Sequence, residues 1–473
     1  MKFKKYVFLA VILFIWITEL EACTIFSAKD NNGHTWAGNN EDFIFTFRTY
    51  LNVAAATDST LGHMYFTYFS PDDMIQGGAN EAGLFFDFNA IPESEYKDYD
   101  KKKDYPGGTE ALMLYILKNC KTVKEVFALY EKYRDPDIRS AQMHLVDKFG
   151  NLGIIVADSM WITQADFQVS TNYNLCHKNK DGKTCWRFPI AERILRSEEP
   201  SLEIFRMICD STHQRNVINT IYSNIHNLTT GDIWLYYGMD YKNAYKTNIH
   251  DLAAMGDTSI LMYEFFRNES LFSVYNTYLS EGAERSLEKL NRYNFTEERK
   301  NEILQILFSD LIVTKCDFNA YPFLKAWLKT QKEVSAFFHV TNAIVLYSTN
   351  RKKEALKVLS TYLSQKPENT LSKRYYERMQ GIFEERTNVR FKLNGYKDAR
   401  YVFIDRVPIN GITDFKLFNF LIKEGDQWVG EFNLPLGENY YIFFVDGKRV
   451  FDPNNSEIGK KYGLEYNKKV IKE

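Results

Sequence analysis

Cys23 is the residue with the most chemical potential in this sequence, because of what precedes it. Lys2, Lys4 and Lys5 are followed by an apolar run from Tyr6 to Ile17 and then by the exit Leu20-Glu21-Ala22. A basic start, an apolar middle and a small residue at the cut are the three parts of a secretory signal peptide. Cleavage after Ala22 makes Cys23 the first residue of the mature chain, carrying a thiol and a free α-amine together. A cysteine thiol ordinarily ionises near about 8.5 and an α-amine at about 7.7 to 8.0. The amine is therefore suited to accept the thiol proton near neutrality and to pass it to a leaving amine. Two other readings fit the same residue. Leu20-Glu21-Ala22-Cys23 can be a lipoprotein cleavage box, with Cys23 acylated and its amine blocked, or Cys23 can be half of a disulfide.

Composition narrows the class. The chain has 473 residues, 45% hydrophobic and 25% charged, the balance of folded protein and enough for two or three domains. A formal net charge of −2 with no long basic run argues against nucleic acid as a partner. No stretch after Ile17 is long and apolar enough to span a membrane, so the mature chain reads as secreted or periplasmic, or lipid-anchored if the lipoprotein reading holds. Of the six cysteines, Cys176 and Cys185 bracket the polar loop His177 to Thr184, which an exported chain can close as a candidate disulfide. No closely spaced set of Cys and His resembles a metal site, and no cofactor is expected.

The elements that must position Cys23 follow in order. Thr24–Ser27 and His34–Ala37 read as a hairpin around Lys29-Asp30-Asn31-Asn32-Gly33. Gly38-Asn39-Asn40-Glu41-Asp42-Phe43 reads as the turn that closes it. Gly77-Gly78-Ala79-Asn80-Glu81-Ala82-Gly83 reads as a glycine-bordered loop feeding the buried strand that starts at Leu84. Apolar residues at intervals of three and four predict helices over 108–119 and 123–133. Strands return at 142–147, 153–158, 217–225 and 232–237. Strands, helices, then strands predict a layered α+β sandwich. Residues 266–386 are helical in pattern, and Ala355, Leu356, Leu359, Tyr362 and Leu363 resemble half of a tetratricopeptide-type hairpin with no second copy at a fixed period. Residues 387–473 alternate as strands of a small immunoglobulin-like β-sandwich. The expected division is 1–22 signal peptide, 23–265 catalytic domain, 266–386 helical subdomain and 387–473 sandwich.

Cys23-Thr24, Gly38-Asn39-Asn40-Glu41-Asp42 and Gly78-Ala79-Asn80-Glu81-Ala82-Gly83-Leu84 resemble the choloylglycine hydrolase and penicillin V acylase family of N-terminal-nucleophile hydrolases. Ser170-Thr171-Asn172-Tyr173, Trp186-Arg187-Phe188 and Thr220-Ile221-Tyr222-Ser223 are similar to later segments of that family, so the resemblance spans about residues 23 to 260. It implies an αββα sandwich and a hydrolase of carbon–nitrogen bonds in linear, non-peptide amides, acting through an acyl-thioester on Cys23. On this resemblance Asp42 holds the Cys23 amine. Asn172 and the backbone N–H at Asn80 form the oxyanion site, and Arg187 stabilises the thiolate or positions Asp42. Asn39 departs from the pattern, because the family has an arginine there. A neutral amide in its place alters the pocket wall and leaves the substrate open, as a small-molecule N-acyl amide.

Residues 427–437 and 443–455 resemble glycogen-binding-type early-set domains. The loop from Arg406 to Phe415 carries no tryptophan for stacking on sugar, Arg449 stands where a tryptophan is common, and Trp428 reads as core, so carbohydrate binding is not expected. Two alternatives to the amidohydrolase are retained: an acyltransferase that uses the same acyl-enzyme, and a lipid-anchored, non-catalytic surface binding protein. Intact mass of the exported chain separates enzyme from anchor. The expected result is a chain that starts at Cys23 with a free amine; added diacylglycerol and acyl mass marks the anchor.

Overall fold

The computed structural model describes residues 23–96, 101–135, 137–177, 185–383, 387–406, 415–461 and 464–472. The expected signal peptide, residues 178–184 of the loop between Cys176 and Cys185 and most of the loop after Arg406 lie outside them. The chain divides into two compact units, residues 1–266 and 267–473.

In the first unit β1 (Thr24–Lys29) and β2 (Thr35–Phe43) form the expected hairpin. Its turn is built on Asp30, whose carboxylate accepts the backbone N–H groups of Asn32 and His34 at 2.9 and 2.8 Å, while Gly33 takes a φ of 84°. Then come β3 (Thr49–Ala54), β4 (His63–Tyr68), β5 (Ile75–Asn80), β6 (Leu84–Ala90) and the two-residue β7 (Lys103–Asp104). Helices α1 (Gly108–Asn119) and α2 (Val123–Lys132) follow, the second opened by a capping box between Thr122 and Glu125. After the short β8 (Tyr133–Arg134) the chain runs through β9 (Ala141–Asp147), β10 (Leu152–Ile155), β11 (Met160–Thr163) and β12 (Phe167–Ser170). The unit continues with α3 (Arg187–Ser197), α4 (Leu202–Thr212), β13 (Asn219–Asn227), β14 (Asp232–Tyr237), β15 (Tyr245–Asn248), α5 (Ile249–Ala253) and β16 (Thr258–Leu261).

Two antiparallel sheets result, ordered β12-β1-β2-β13-β14-β15 and β11-β10-β9-β6-β5-β4-β3-β16. Leu84 and Phe86 of β6 and Met143 and Leu145 of β9 pack against Leu112, Met113, Ile116 and Val126 of α1 and α2. Phe26 of β1 meets Phe205 of α4 with ring centroids 5.0 Å apart, so the other sheet is covered by the α3–α4 pair. The remaining two sheet faces meet each other, through Phe66–Tyr222 at 4.6 Å and a Ser27–His144 hydrogen bond of 2.9 Å. The layers therefore run helix, sheet, sheet, helix. Strands covered on both faces lose the usual alternation of buried and exposed positions, and all nine residues of β13 are buried.

The second unit opens with α6 (Ser270–Glu281), α7 (Ala283–Arg292), α8 (Glu297–Phe308), α9 (Tyr321–Thr330), α10 (Ala336–Ser348), α11 (Lys352–Gln365) and α12 (Thr370–Met379). It closes with β17 (Val389–Leu393), β18 (Val402–Arg406), β19 (Ile422–Glu424), β20 (Gln427–Phe432), β21 (Gly437–Val445), β22 (Lys448–Val450), β23 (Ile458–Lys461) and β24 (Leu464–Ile471). Its sheets, β17-β20-β19 and β18-β21-β24-β23, share one core around Phe391, Trp428, Tyr441 and Phe443. Trp428 is 5% exposed and its indole donates to the Tyr396 carbonyl at 2.8 Å; Arg449 lies over the Tyr466 ring.

Two readings of the sequence need correcting. Gly77 to Asn80 are not part of a loop but the end of β5, paired with β4 and β6. Gly38 to Asp42 do not form a turn. They continue β2 and pair with β13, Asp42 opposite Thr220 and Glu41 opposite Tyr222. A β-bulge at Ile221 adds one residue to β13, so Thr220 and Tyr222, two apart, serve opposite faces of the sheet. Close packing beside this strand generates a test at Gly77, where an added Cβ would sit 2.4 Å from Asp87 Oδ2. Gly77→Ala is expected to cost about 1 to 3 kcal/mol by overpacking, read as a lowered denaturant midpoint.

Candidate active site

Period-two alternation along β2 sorts its polar residues. Gly38, Asn40 and Asp42 face α3 and α4: Gly38 abuts Phe205, and Asn40 Nδ2 donates to the Cys209 carbonyl at 2.9 Å and to Thr212 Oγ1 at 3.0 Å. Asn39 and Glu41 face the other sheet. Asn39 Nδ2 donates to Glu41 Oε2 at 3.0 Å and to Asp87 Oδ2 at 2.8 Å, and the Tyr68 hydroxyl donates to Glu41 Oε1 at 2.5 Å.

Cys23 sits at the head of β1, 5% exposed, with a positive φ of 53° that L-residues seldom adopt. Its backbone nitrogen donates to the Asp42 carboxylate, its sulfur accepts from the Asp42 backbone N–H, and its thiol donates to Glu41. Asp42 is held from three further sides. Arg187 Nη1 reaches Oδ2 at 2.6 Å, Gln214 Nε2 reaches the same oxygen at 2.9 Å, and the Thr220 hydroxyl donates to Oδ1. Arg187 is fully buried in the first turn of α3 and also donates from Nη2 to Asn172 Oδ1 at 2.6 Å and from Nε to Cys185 Sγ at 3.1 Å. Asn172 Nδ2 in turn donates to the Ala90 carbonyl at 2.8 Å. Cys23, Asp42, Arg187 and Asn172 thus form one connected chain of polar contacts.

One expected member is elsewhere. Asn80 closes the far end of the β5–β6 hairpin, where Nδ2 donates to the Leu117 and Cys120 carbonyls at 3.0 and 2.7 Å, satisfying the end of α1. The neighbour of Cys23 on that hairpin is Asn89, five residues of strand beyond Leu84 and so about 17 Å along it. Asn89 Nδ2 donates to the Cys23 carbonyl at 3.2 Å. Alternation carried that signal: Asp87 and Asn89 are the polar positions of an otherwise aromatic strand, Leu84-Phe85-Phe86-Asp87-Phe88-Asn89. The expected disulfide is not formed either. Cys176 and Cys185 are both free thiols, because Cys185 is drawn to Arg187 while Cys176 packs against Ile91, Ile154 and Val156.

Sequence reasoning also missed Gln142, whose Nε2 donates to the Thr171 and Tyr173 carbonyls at 2.6 and 2.9 Å and so braces the loop that carries Asn172. Among the described residues, no group of three or more His, Cys, Asp or Glu is arranged to hold a metal ion, and no helix is long and apolar enough to cross a membrane.

Burial dominates the electrostatics. It pushes the Cys23 thiol well above its ordinary value, and the charges of Glu41, Asp42 and Asp87 push the same way. Burial raises Asp42 too, opposed chiefly by Arg187 and then by Thr220, Gln214 and the Cys23 N–H. Glu41 rises to about 7, by burial first, with the Tyr68 and Asn39 hydrogen bonds working against it. Asp87 is raised well above the carboxylate range by burial and then by Glu41.

A family model described as acyl-coenzyme A:6-aminopenicillanic acid acyl-transferase matches residues 28–181. The matched stretch is similar to that family. Penicillin V acylase from Agrobacterium tumefaciens is similar at 15% identity, covering 50% of this chain and 90% of that one with a TM-score of 0.40. A variant of conjugated bile acid hydrolase from Clostridium perfringens is similar at 12% identity, covering 50% of this chain and 95% of its own, with a TM-score of 0.41. No curated protein matches the chain.

The raised carboxyls give a pH signature. A carboxyl whose folded pKa lies above its unfolded value stabilises the fold below the unfolded value, and that stability is lost as pH rises through the folded one. For Glu41 the window runs from about 4.5 to about 7. His144 and His226, both lowered to about 3 by burial, work in the opposite sense, adding stability as pH rises from about 3 to about 6.5. The informative quantity is therefore a difference: the stability of Glu41→Gln relative to wild type is expected to improve from pH 5 to about pH 7 and to level off above it in chemical denaturation.

Proposed function

We propose that Cys23, freed by cleavage after Ala22, is an N-terminal nucleophile and that the exported protein hydrolyses a linear N-acyl amide. The observation that carries this reading is the hydrogen bond from the Cys23 backbone nitrogen to Asp42, a carboxylate pinned by the buried Arg187. Cleavage converts that nitrogen to an amine already seated on its carboxylate. The family match over residues 28–181 supports the same chemistry.

The steps balance as follows. Cys23 Sγ loses its proton and bonds to the acyl carbon while the carbonyl electrons move to oxygen. Asn172 and Asn89, whose amide groups flank the Cys23 end of β1, are the proposed donors to that oxyanion; one such donor is worth roughly 3 to 4 kcal/mol. Collapse breaks the C–N bond, the amine leaves with a proton, and water then cleaves the thioester to a carboxylic acid and the free thiol. Acyl transfer is the second reading, favoured by the description of the matching family model as an acyl-transferase. In that case an acceptor amine replaces the water. The burial of Cys23 weighs against a lipid anchor, since a diacylglyceryl sulfur needs an open path to the bilayer.

The test uses a panel of N-acyl amino acids, conjugated bile acids, acyl-homoserine lactones and penicillins, with and without acceptor amines. Cys23→Ala is expected to reduce kcat/KM at least 1,000-fold, on the order of the loss seen for other nucleophiles. One glycine left before Cys23 is expected to abolish turnover while the thiol still labels, because an amide nitrogen, its lone pair held in the peptide bond, cannot take up the charge that pairs with Asp42. Full turnover with that glycine confirmed by mass overturns the N-terminal-nucleophile reading.

A further inference from the structure

We propose that Glu41 is a catalytic general base that takes the Cys23 thiol proton directly, an inference that rests on the nucleophile reading of Cys23. Three observations carry it. Glu41 follows Asn40, the partner of Thr24, and so stands opposite Cys23 with its carboxylate against the thiol. Cys23 has an odd position at the head of β1, on the face shared with Ile25 and Ser27, and Glu41 meets it across the β1–β2 pair on the same inter-sheet face. The α-nitrogen, by contrast, lies on Asp42, whose contacts with Arg187, Gln214 and Thr220 favour the ionised carboxylate. Paired with Arg187 at 2.6 Å, Asp42 would hold the freed amine as an ammonium, which has no lone pair to offer.

Charge conservation favours the same route. Moving the proton from sulfur to Glu41 leaves one negative charge in the buried site throughout. A thiolate formed with Glu41 still ionised would put two anions side by side at low dielectric. In the balanced step the S–H bond breaks, the proton bonds to a Glu41 oxygen, and the sulfur electrons form the S–C bond. Glu41 then returns the proton to the leaving nitrogen as the C–N bond breaks. In deacylation water gives a proton to Glu41, and the departing sulfur takes it back.

The surroundings tune Glu41 for this exchange. Facing it are Asp87 on β6, Tyr68 on β4, Tyr222 on β13 and the thiol itself, while Asp42, next to it on β2, acts from the opposite face with Arg187 of α3 behind it. Tyr68 and Asn39 orient the carboxylate, and Asn39 ties it to Asp87. The Tyr222 hydroxyl and Asn39 Oδ1 are buried without a partner beside the pair, the mark of a polar site built for more than packing. With Glu41 raised to about 7, base and acid forms are both populated near neutrality, as a proton shuttle requires.

The probe is iodoacetamide, followed by mass at the Cys23 peptide of the mature full chain, which needs no knowledge of the substrate. In wild type the alkylation rate is expected to rise with pH through an inflection near 7. Glu41→Gln is expected to slow it at least tenfold and erase the inflection, with kcat/KM on any substrate found falling by about 10² to 10⁴. Alkylation of Glu41→Gln as fast as wild type or faster overturns the proposal, since removing a merely repulsive neighbour eases thiolate formation. Should that variant not fold, Tyr68→Phe decides. Loss of the hydroxyl's hydrogen bond raises Glu41, so the inflection must move to higher pH, and an unmoved inflection overturns the role. Wild type that labels as expected but cleaves no amide refutes the proposed function and leaves the Glu41–thiol transfer standing.

Discussion

The buried contact between Arg187 and Asp42 is the constraint on which the site depends. Neither side chain reaches water, and the two charges lie 2.6 Å apart. A buried ion pair gains little net stability, but losing one partner strands the other charge at a cost of about 3 to 5 kcal/mol. The pair therefore persists only where each charge is fully satisfied. Asp42 meets that demand with Gln214, Thr220 and the Cys23 nitrogen, and Arg187 with Asn172 and Cys185. Meeting it brings β1, β2, β13, α3 and the loop after β12 to one point, which is where the nucleophile sits.

The second constraint is the division of labour across β2. One face carries the ion pair toward α3 and α4. The opposite face carries a neutral and an acidic residue, Asn39 and Glu41, toward Asp87 and Tyr68. Both faces converge on Cys23, the backbone nitrogen served by one and the thiol by the other. The β13 bulge makes this possible, since it lets Thr220 and Tyr222 attend opposite faces from positions two apart. An arginine in place of Asn39 would leave Glu41 and Asp87 paired to a cation. The amide in its place donates to both carboxyls and adds no charge between them.

Local pattern was enough for much of the first unit. The Asn-Gly turn, the 3.6-residue periods of α1 and α2 and the strand at Asp232–Tyr237 depend on neighbours in sequence, so reading them needs no fold. The nucleophile is local in the same way, because its chemistry depends on the residue types immediately before it. Asp42, Asn172 and Arg187 were identifiable as types in an ordered set, though 130 residues separate the first two in the chain.

What the tertiary structure decided is register and partner. A turn reading and a strand reading of Gly38–Asp42 are equally open to local chemistry; pairing with β13, about 180 residues later, selects the strand. Asn80 and Asn89 lie on one hairpin, and only the packing of β6 against β9 and β1 brings Asn89 to Cys23 and leaves Asn80 to cap α1. Cys176 and Cys185 flank a loop short enough to bridge, yet Arg187 claims one sulfur and an apolar cluster the other. The amino-acid sequence by itself determined which groups were available for chemistry, because reactivity is a property of residue type. Which of them meet, and with what pKa, was decided by long-range strand pairing and burial, since desolvation and hydrogen-bond partners exist only once distant strands have closed on one another.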